Sequence, residues 1–184
     1  MPMLLYGNGT ISGTTSLAVG GDLSVSGRAN VAQGLTTVSK GITSTSLPTG
    51  CVLQVVQGTM NSGYTCTGSF ANIGLSASIT PMYSTSKILI QVSLNDMRYA
   101  AAVYTYATVF RNNTTNLAVG SGTNSFTMGE NNGFLGFSAG SIVYLDSPAT
   151  TSSTTYSVYA YSTGTGFINS TGGVCVIILS EIAG

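Results

Sequence analysis

Histidine and tryptophan are absent from this chain, and charge is nearly so: five basic and five acidic side chains serve all 184 residues. Each lack excludes something. Without histidine, the commonest general base is missing. With no excess of lysine and arginine there is no basic patch to displace phosphate counterions, which argues against a nucleic-acid partner. No apolar run approaches the roughly 20 residues a membrane helix needs, so no membrane insertion is expected. The opening six residues are too short for a signal-peptide core and carry no basic flank, so synthesis in a cytoplasm is expected. Three cysteines, Cys51, Cys66 and Cys175, show no metal-site spacing, and no phosphate loop or nucleophile-elbow motif is present. No metal or cofactor is expected. Free buried thiols are the expected state of the cysteines; a Cys51–Cys66 bridge, unusual in a reducing compartment, is the alternative.

What the chain does have is 43% hydrophobic residues, too many for a disordered polymer, set among Gly, Ser, Thr and Asn, with ten tyrosines carrying most of the aromatic surface. A surface of hydroxyls and amides is soluble but does little to keep copies apart electrostatically. That balance fits a β-rich protein in a permanent assembly.

Strand patterning is plainest over residues 75–94. Leu75, Ala77 and Ile79 alternate with Ser76, Ser78 and Thr80; Pro81 and a Ser84-Thr-Ser86 turn interrupt; then Ile88, Ile90, Val92 and Leu94 alternate with Gln91 and Ser93. Leu89 breaks the polar face, which predicts apolar neighbours on both sides and a central strand. Strands are also predicted over 51–57, 104–111, 134–137, 141–146, 154–161 and 174–181. The last of these is nearly continuously apolar and is expected deep in a sheet. Asn112-Asn113 marks a hairpin turn, since asparagine tolerates positive φ. The Gly- and Asn-rich stretches 58–74 and 120–133 read as loops. Some eight short strands with no helical period predict an all-β fold, an antiparallel β-sandwich or jelly roll, over residues 48–184.

Ahead of it, residues 17–41 repeat with a period of six, apolar at the first and third positions and glycine near the end of most units. A unit this small cannot bury its apolar pair alone, and four units are too few for a self-stacked solenoid. A Gly-rich homotrimeric stalk over 17–47 is therefore expected, with Leu17, Val19, Leu23, Val25, Val31, Leu35 and Val38 turned to a shared axis. Residues 1–16 are left as an attachment segment. An extended linker is the competing reading, though a linker would not need Leu or Val at each restart.

Catalysis has few candidates. The acids are Asp22, Asp96, Glu130, Asp146 and Glu181, and paired-carboxylate hydrolysis would need two of Asp96, Glu130 and Asp146 to converge. Turn-capping roles fit them better, and the chain is expected not to be an enzyme. Asn112, Asn113 and Asn169 begin glycosylation sequons that read as turns. For binding, Tyr99, Tyr104, Tyr106, Tyr159 and Tyr161 are candidates for stacking on sugar rings, with core packing the competing role. The loop residues Tyr64, Phe70, Asn124, Phe126, Asn131 and Asn132 are the stronger candidates for receptor contact.

In Ser78-Ile-Thr-Pro81, Ser86-Lys-Ile-Leu-Ile-Gln-Val-Ser93, Thr108-Val-Phe-Arg-Asn112, Leu145-Asp-Ser-Pro148 and Ile178-Leu-Ser-Glu-Ile-Ala-Gly184 the chain resembles tail-fibre-like appendage proteins of bacteriophages, of the kind carried by phages of marine bacteria and cyanobacteria. The resemblance runs from about Leu47 to the end. It implies a homotrimeric protein on the virion surface, the N-terminus docked on other virion proteins and the β domain displayed outward, with a host-surface glycan as candidate partner. It brings no catalytic residues. The segment ahead of the β domain is short for a fibre, which leaves a capsid decoration protein or head fibre as the alternative, and a carbohydrate-binding module as a second.

Overall fold

Period-two alternation becomes eleven strands and no helix in the computed structural model, which describes residues 48–99, 103–119, 123–130 and 136–184 (backbone alone at 99, 128–130 and 136–138). They are β1 (Val52–Met60), β2 (Tyr64–Cys66), β3 (Ala71–Ile79), β4 (Lys87–Tyr99), β5 (Tyr104–Arg111), β6 (Thr115–Asn116), β7 (Thr127–Glu130), β8 (Gly136–Asp146), β9 (Thr154–Ser162), β10 (Gly166–Ile168) and β11 (Cys175–Ile182). The stalk residues Leu17 to Val38 and the whole of 1–47 lie outside the described residues, as do Asn131 and Asn132.

Every pairing is antiparallel, and the strands form two sheets. The first runs β1-β11-β4-β10-β2 with β8 on the other edge of β4; the second runs β3-β9-β5-β6, with β7 also on β5. Their inner faces supply one core. Ile88, Ile90, Val92 and Leu94 of β4, with Ile142, Ile168, Ile177 and Leu179, meet Ile73, Leu75, Ile79, Val109, Tyr156 and Val158 of the second sheet. Burying an Ile or Leu side chain contributes about 1.5–3 kcal/mol, so this layer is the main source of stability. The central position expected for 87–94 is found: β4 pairs β11 and β10 along one edge and β8 along the other. Strand β11 lies between β1 and β4, as its apolar run suggested.

The two strands of the 75–94 pattern do not pair with each other. β3 and β4 belong to opposite sheets, and the turn between them crosses the sandwich. Buried Glu181 holds that crossing, accepting hydrogen bonds from the Met82 amide at 2.7 Å and from Gln54 Nε2 at 2.6 Å.

Three expectations need correction. Residues 58–74 are not a long loop: β1 continues to Met60, β2 intervenes, and β3 starts at Ala71. Gly58 sits where the sheets touch, and a Cβ there would overlap the Ser76 carbonyl oxygen. Gly74, at φ +92°, occupies a bulge between Asn72 and Ser76, its amide donating to Asn72 Oδ1. These glycines mark close backbone approach and a bulge, which composition alone cannot separate from a loop. Likewise part of 120–133 is strand β7, paired with β5, and the two short strands expected between 134 and 146 are one, β8. The Asn112-Asn113 hairpin is present, with φ of 51° and 58°.

Candidate functional site

Outward positions of β5 and β9 alternate against the core residues Ala107, Val109, Tyr156 and Val158, so they lie on the outer face of the second sheet. On that face the chain has placed rings. Tyr106 lies opposite Tyr161 in register and stacks on it at 4.6 Å; Tyr104 stacks behind Tyr106 at 6.2 Å. Phe70, just before β3, sets its edge on Tyr161 at 4.6 Å, and Phe110 stacks on Tyr159 at 4.1 Å. Offset and edge-to-face arrangements of this kind suit the ring quadrupoles. Tyr106 is buried within the row, whereas Phe70, Tyr104, Phe110, Tyr159 and Tyr161 remain half-exposed.

Phe70 also lies 6.4 Å from Phe110, and at the middle of the row, beside Phe70 and Tyr161, opens a cleft of about 480 Å³ lined by Gly68, Ser69, Phe70, Thr123, Asn124 and Tyr161. Asn124 takes a left-handed turn at φ 49°, and its carbonyl accepts Asn116 Nδ2 at 2.8 Å. Asn116 Oδ1 in turn accepts from Thr108 Oγ1 and the Ala118 amide, so this wall is braced against the sheet. The Phe126 amide donates to Ala107 O at 3.0 Å and anchors the same segment. At one end of the row the Tyr159 hydroxyl and Asn72 Nδ2 both reach Asn113 Oδ1, at 3.4 and 3.5 Å. Burial, and then the neighbouring Tyr106 phenol, push the Tyr161 hydroxyl above its ordinary pKa, so it remains a neutral hydrogen-bonding group at physiological pH. Flat apolar faces beside amides and hydroxyls match the chemistry of an uncharged polyhydroxylated ring.

The sequence-derived contact residues divide accordingly. Phe70 and Asn124 meet at the cleft. Tyr64 and Phe126 do not: both are half-buried against the core, and Phe126 packs on Tyr144 at 5.1 Å. Tyr104, Tyr106, Tyr159 and Tyr161, weighed as weaker candidates, form the row itself; the side chain of Tyr99 is outside the description. Gly68, Ser69 and Thr123 were not anticipated, because nothing in their local sequence brings 68–70 to 123–124.

The carboxylates have other employment. Asp96 accepts from the amides and hydroxyls of Ser170 and Thr171. Burial alone would raise its pKa, but the bonds from Thr171 and Ser170 outweigh that and hold it below the usual 3.8. Asp146 accepts Arg111 Nη1 at 2.9–3.0 Å and the Tyr156 hydroxyl at 2.8 Å, tying β8 to β5 and β9 across the sandwich. Asp96 and Asp146 thus serve separate networks rather than converging. Among the described residues no group of three or more His, Cys, Asp or Glu could hold a metal ion. Asn169, the head of one sequon, is fully buried, its amide donating to Gly173 O, Ser62 O and Met60 O. The cysteines are free thiols, Cys66 and Cys175 buried and Cys51 half-exposed. No family model and no curated protein matches the chain.

Proposed function

We propose that this chain is a non-enzymatic structural protein of a bacteriophage virion: a homotrimeric short fibre or appendage whose outward β head adsorbs to a neutral glycan on the host surface. The observation that carries this reading is the ring row on the outer face of the second sheet, with the cleft between Phe70, Tyr161 and Asn124 at its middle. Among the residues whose side chains are described, Lys87 is the one exposed charge, so recognition rests on stacking and neutral hydrogen bonds. The three described buried acids are held in structural networks, which supports a head without catalytic chemistry. On this reading the sandwich is of jelly-roll type, the glycine-punctuated hexads of 17–47 form the trimeric stalk, and residues 1–16 grip another virion protein. The protein is made in the host cytoplasm and ends on the virion surface.

A glycan array probed with the full chain tests the reading. Binding to neutral sugars is expected, weakened about tenfold by Tyr161→Ala or Phe70→Ala, a change of about 1.4 kcal/mol. Absence of glycan binding, or binding indifferent to both substitutions, would refute it. A capsid decoration role is favoured by a different observation, the exposed apolar side chains Val55, Val143 and Leu145 on the outer face of the first sheet, which suit permanent packing against capsomers. Copies per virion separate the two: tens place the protein on the tail, hundreds on the capsid.

A further inference from the structure

The first sheet has an outer face as well, and its chemistry differs from that of the ring row. Register aligns Val55, Ser180, Leu89 and Leu145 across β1, β11, β4 and β8; the next outward row is Gln57, Ile178, Gln91 and Val143, and the next Thr59, Val176, Ser93 and Ser141. Those twelve positions hold six apolar side chains and no charge. Val55, Val143 and Leu145 are 60%, 67% and 48% exposed. Between the last two rows lies an open groove of about 420 Å³, lined by Gln91, Ser93, Ser141, Val143, Val176 and Ile178. A ridge of Val55, Leu89 and Leu145 runs beside it. Strands apolar on both faces belong in sheets covered on both sides, and a contiguous exposed apolar patch marks an interaction surface.

We infer that this face is where copies of this chain pack on one another, so that the first sheets line the inside of the assembly and the ring-bearing second sheets face out. Three features select a copy of the same chain as the occupant. The twelve positions carry no charge, and exposed Lys87 lies at the rim one row beyond Leu89, so identical surfaces meet without opposing charges at their centre. The face offers a ridge and a groove of matching apolar chemistry. The chain also enters the head on this sheet: the Gly50 amide donates to Ala183 O, and the Ala183 amide to Cys51 O, which fixes the entering segment beside the end of β11. Three chains gathered by the hexads of 17–47, as proposed, would continue along the sequence into β1 of this sheet. The inference rests on the trimer reading in that respect, and it places the interface on the opposite sheet from the tyrosines.

The test is a cysteine placed at Val143 in the full chain, with one at exposed Ser153 as reference, labelled with a bulky maleimide and read site by site by mass spectrometry. Light scattering gives the mass of the same samples. Labelling at 143 at least tenfold slower than at 153, in particles of three chains, is the expected result. Equal labelling in three-chain particles overturns the packing face and leaves the trimer standing. A single-chain mass overturns both, and slow labelling in such a monomer shows the face covered by the chain's own remaining residues. Leu145→Glu, at a side chain half in solvent, gives a second readout: a lower particle mass or a lower thermal midpoint at constant protein concentration is expected, and an unchanged mass and midpoint count against the face.

Discussion

Replacing Asp96 by alanine removes the acceptor for four close donors on the segment joining β10 to β11: the Ser170 amide and hydroxyl, each at 3.0 Å, and the Thr171 amide at 3.0 Å and hydroxyl at 2.5 Å. Hydrogen bonds to a charged group contribute about 1.5–3 kcal/mol each, so four taken at face value would total roughly 6–12 kcal/mol. That sum is too large. Ser170 and Thr171 are exposed and recover water when the carboxylate goes, and the variant no longer desolvates a charge. A net loss of about 2–4 kcal/mol follows, in the range for breaking a partly buried network. The pH dependence has a definite sign. The folded pKa of Asp96 lies below its ordinary 3.8, so the carboxylate's stabilisation is fully present above that value and disappears as pH falls through the folded pKa. Urea unfolding of the full chain at pH 7 and pH 3, followed by tyrosine fluorescence at one protein concentration, measures both effects. Asp96→Asn should fall between wild type and Asp96→Ala at pH 7 and narrow the gap between the two pH values. A loss under about 0.5 kcal/mol for Asp96→Ala, or an undiminished gap in Asp96→Asn, refutes the clamp.

Gly58→Ala places a methyl against the Ser76 carbonyl, a backbone atom that cannot rotate away, and should cost about 1–3 kcal/mol in the same denaturation assay. Native-state alkylation at pH 8 should modify half-exposed Cys51 and spare Cys66 and Cys175 until denaturant is added; burial pushes the Cys66 thiol up to about 12, so thiolate is scarce there. Labelling of Cys66 at the Cys51 rate in the folded protein contradicts the placement of β2.

Much of the sandwich was legible because side-chain period and solvent exposure are the same fact seen twice. Ile88, Ile90, Val92 and Leu94 had to share a face, and that face had to be covered. Asn112-Asn113 was legible because few residues accept two successive positive φ angles. What failed were inferences from glycine. Gly58 and Gly74 have the composition of a loop, yet one lets two backbones touch and the other permits a bulge, and both depend on Ser76, a residue of the other sheet's partner strand or of a register shift that local sequence does not encode. The bulge between Leu94 and Met97 is a second such case: it leaves Asp96 and Met97 both buried, aiming Asp96 at Ser170 and Thr171 some 74–75 residues away. The cleft was half legible. Phe70 and Asn124 stood out as an aromatic and a turn-forming amide in loops, but their meeting at Tyr161 depends on strand register. Tyr64 and Phe126 misled because an aromatic in a short polar stretch is as often the plug that fixes a segment to the core as a group offered to a partner.

The scarcity of charge connects these parts. Among the residues of the head whose side chains are described, Lys87 is the one exposed charge, and so sparse a charge gives little long-range field to steer a ligand. Affinity must then come from contact: stacked rings on one side, apolar ridge and groove on the other. Contact of that kind is weak per site, and a neutral sugar on a few rings holds poorly alone. The proposed trimer would multiply it, because the second and third sites would bind at the local concentration set by the first. An uncharged surface and an oligomeric assembly are therefore complementary requirements of the proposed role, and they make a joint physical demand. Raising salt tenfold should leave both glycan binding and particle mass nearly unchanged, because the full sequence has only five basic and five acidic side chains to screen.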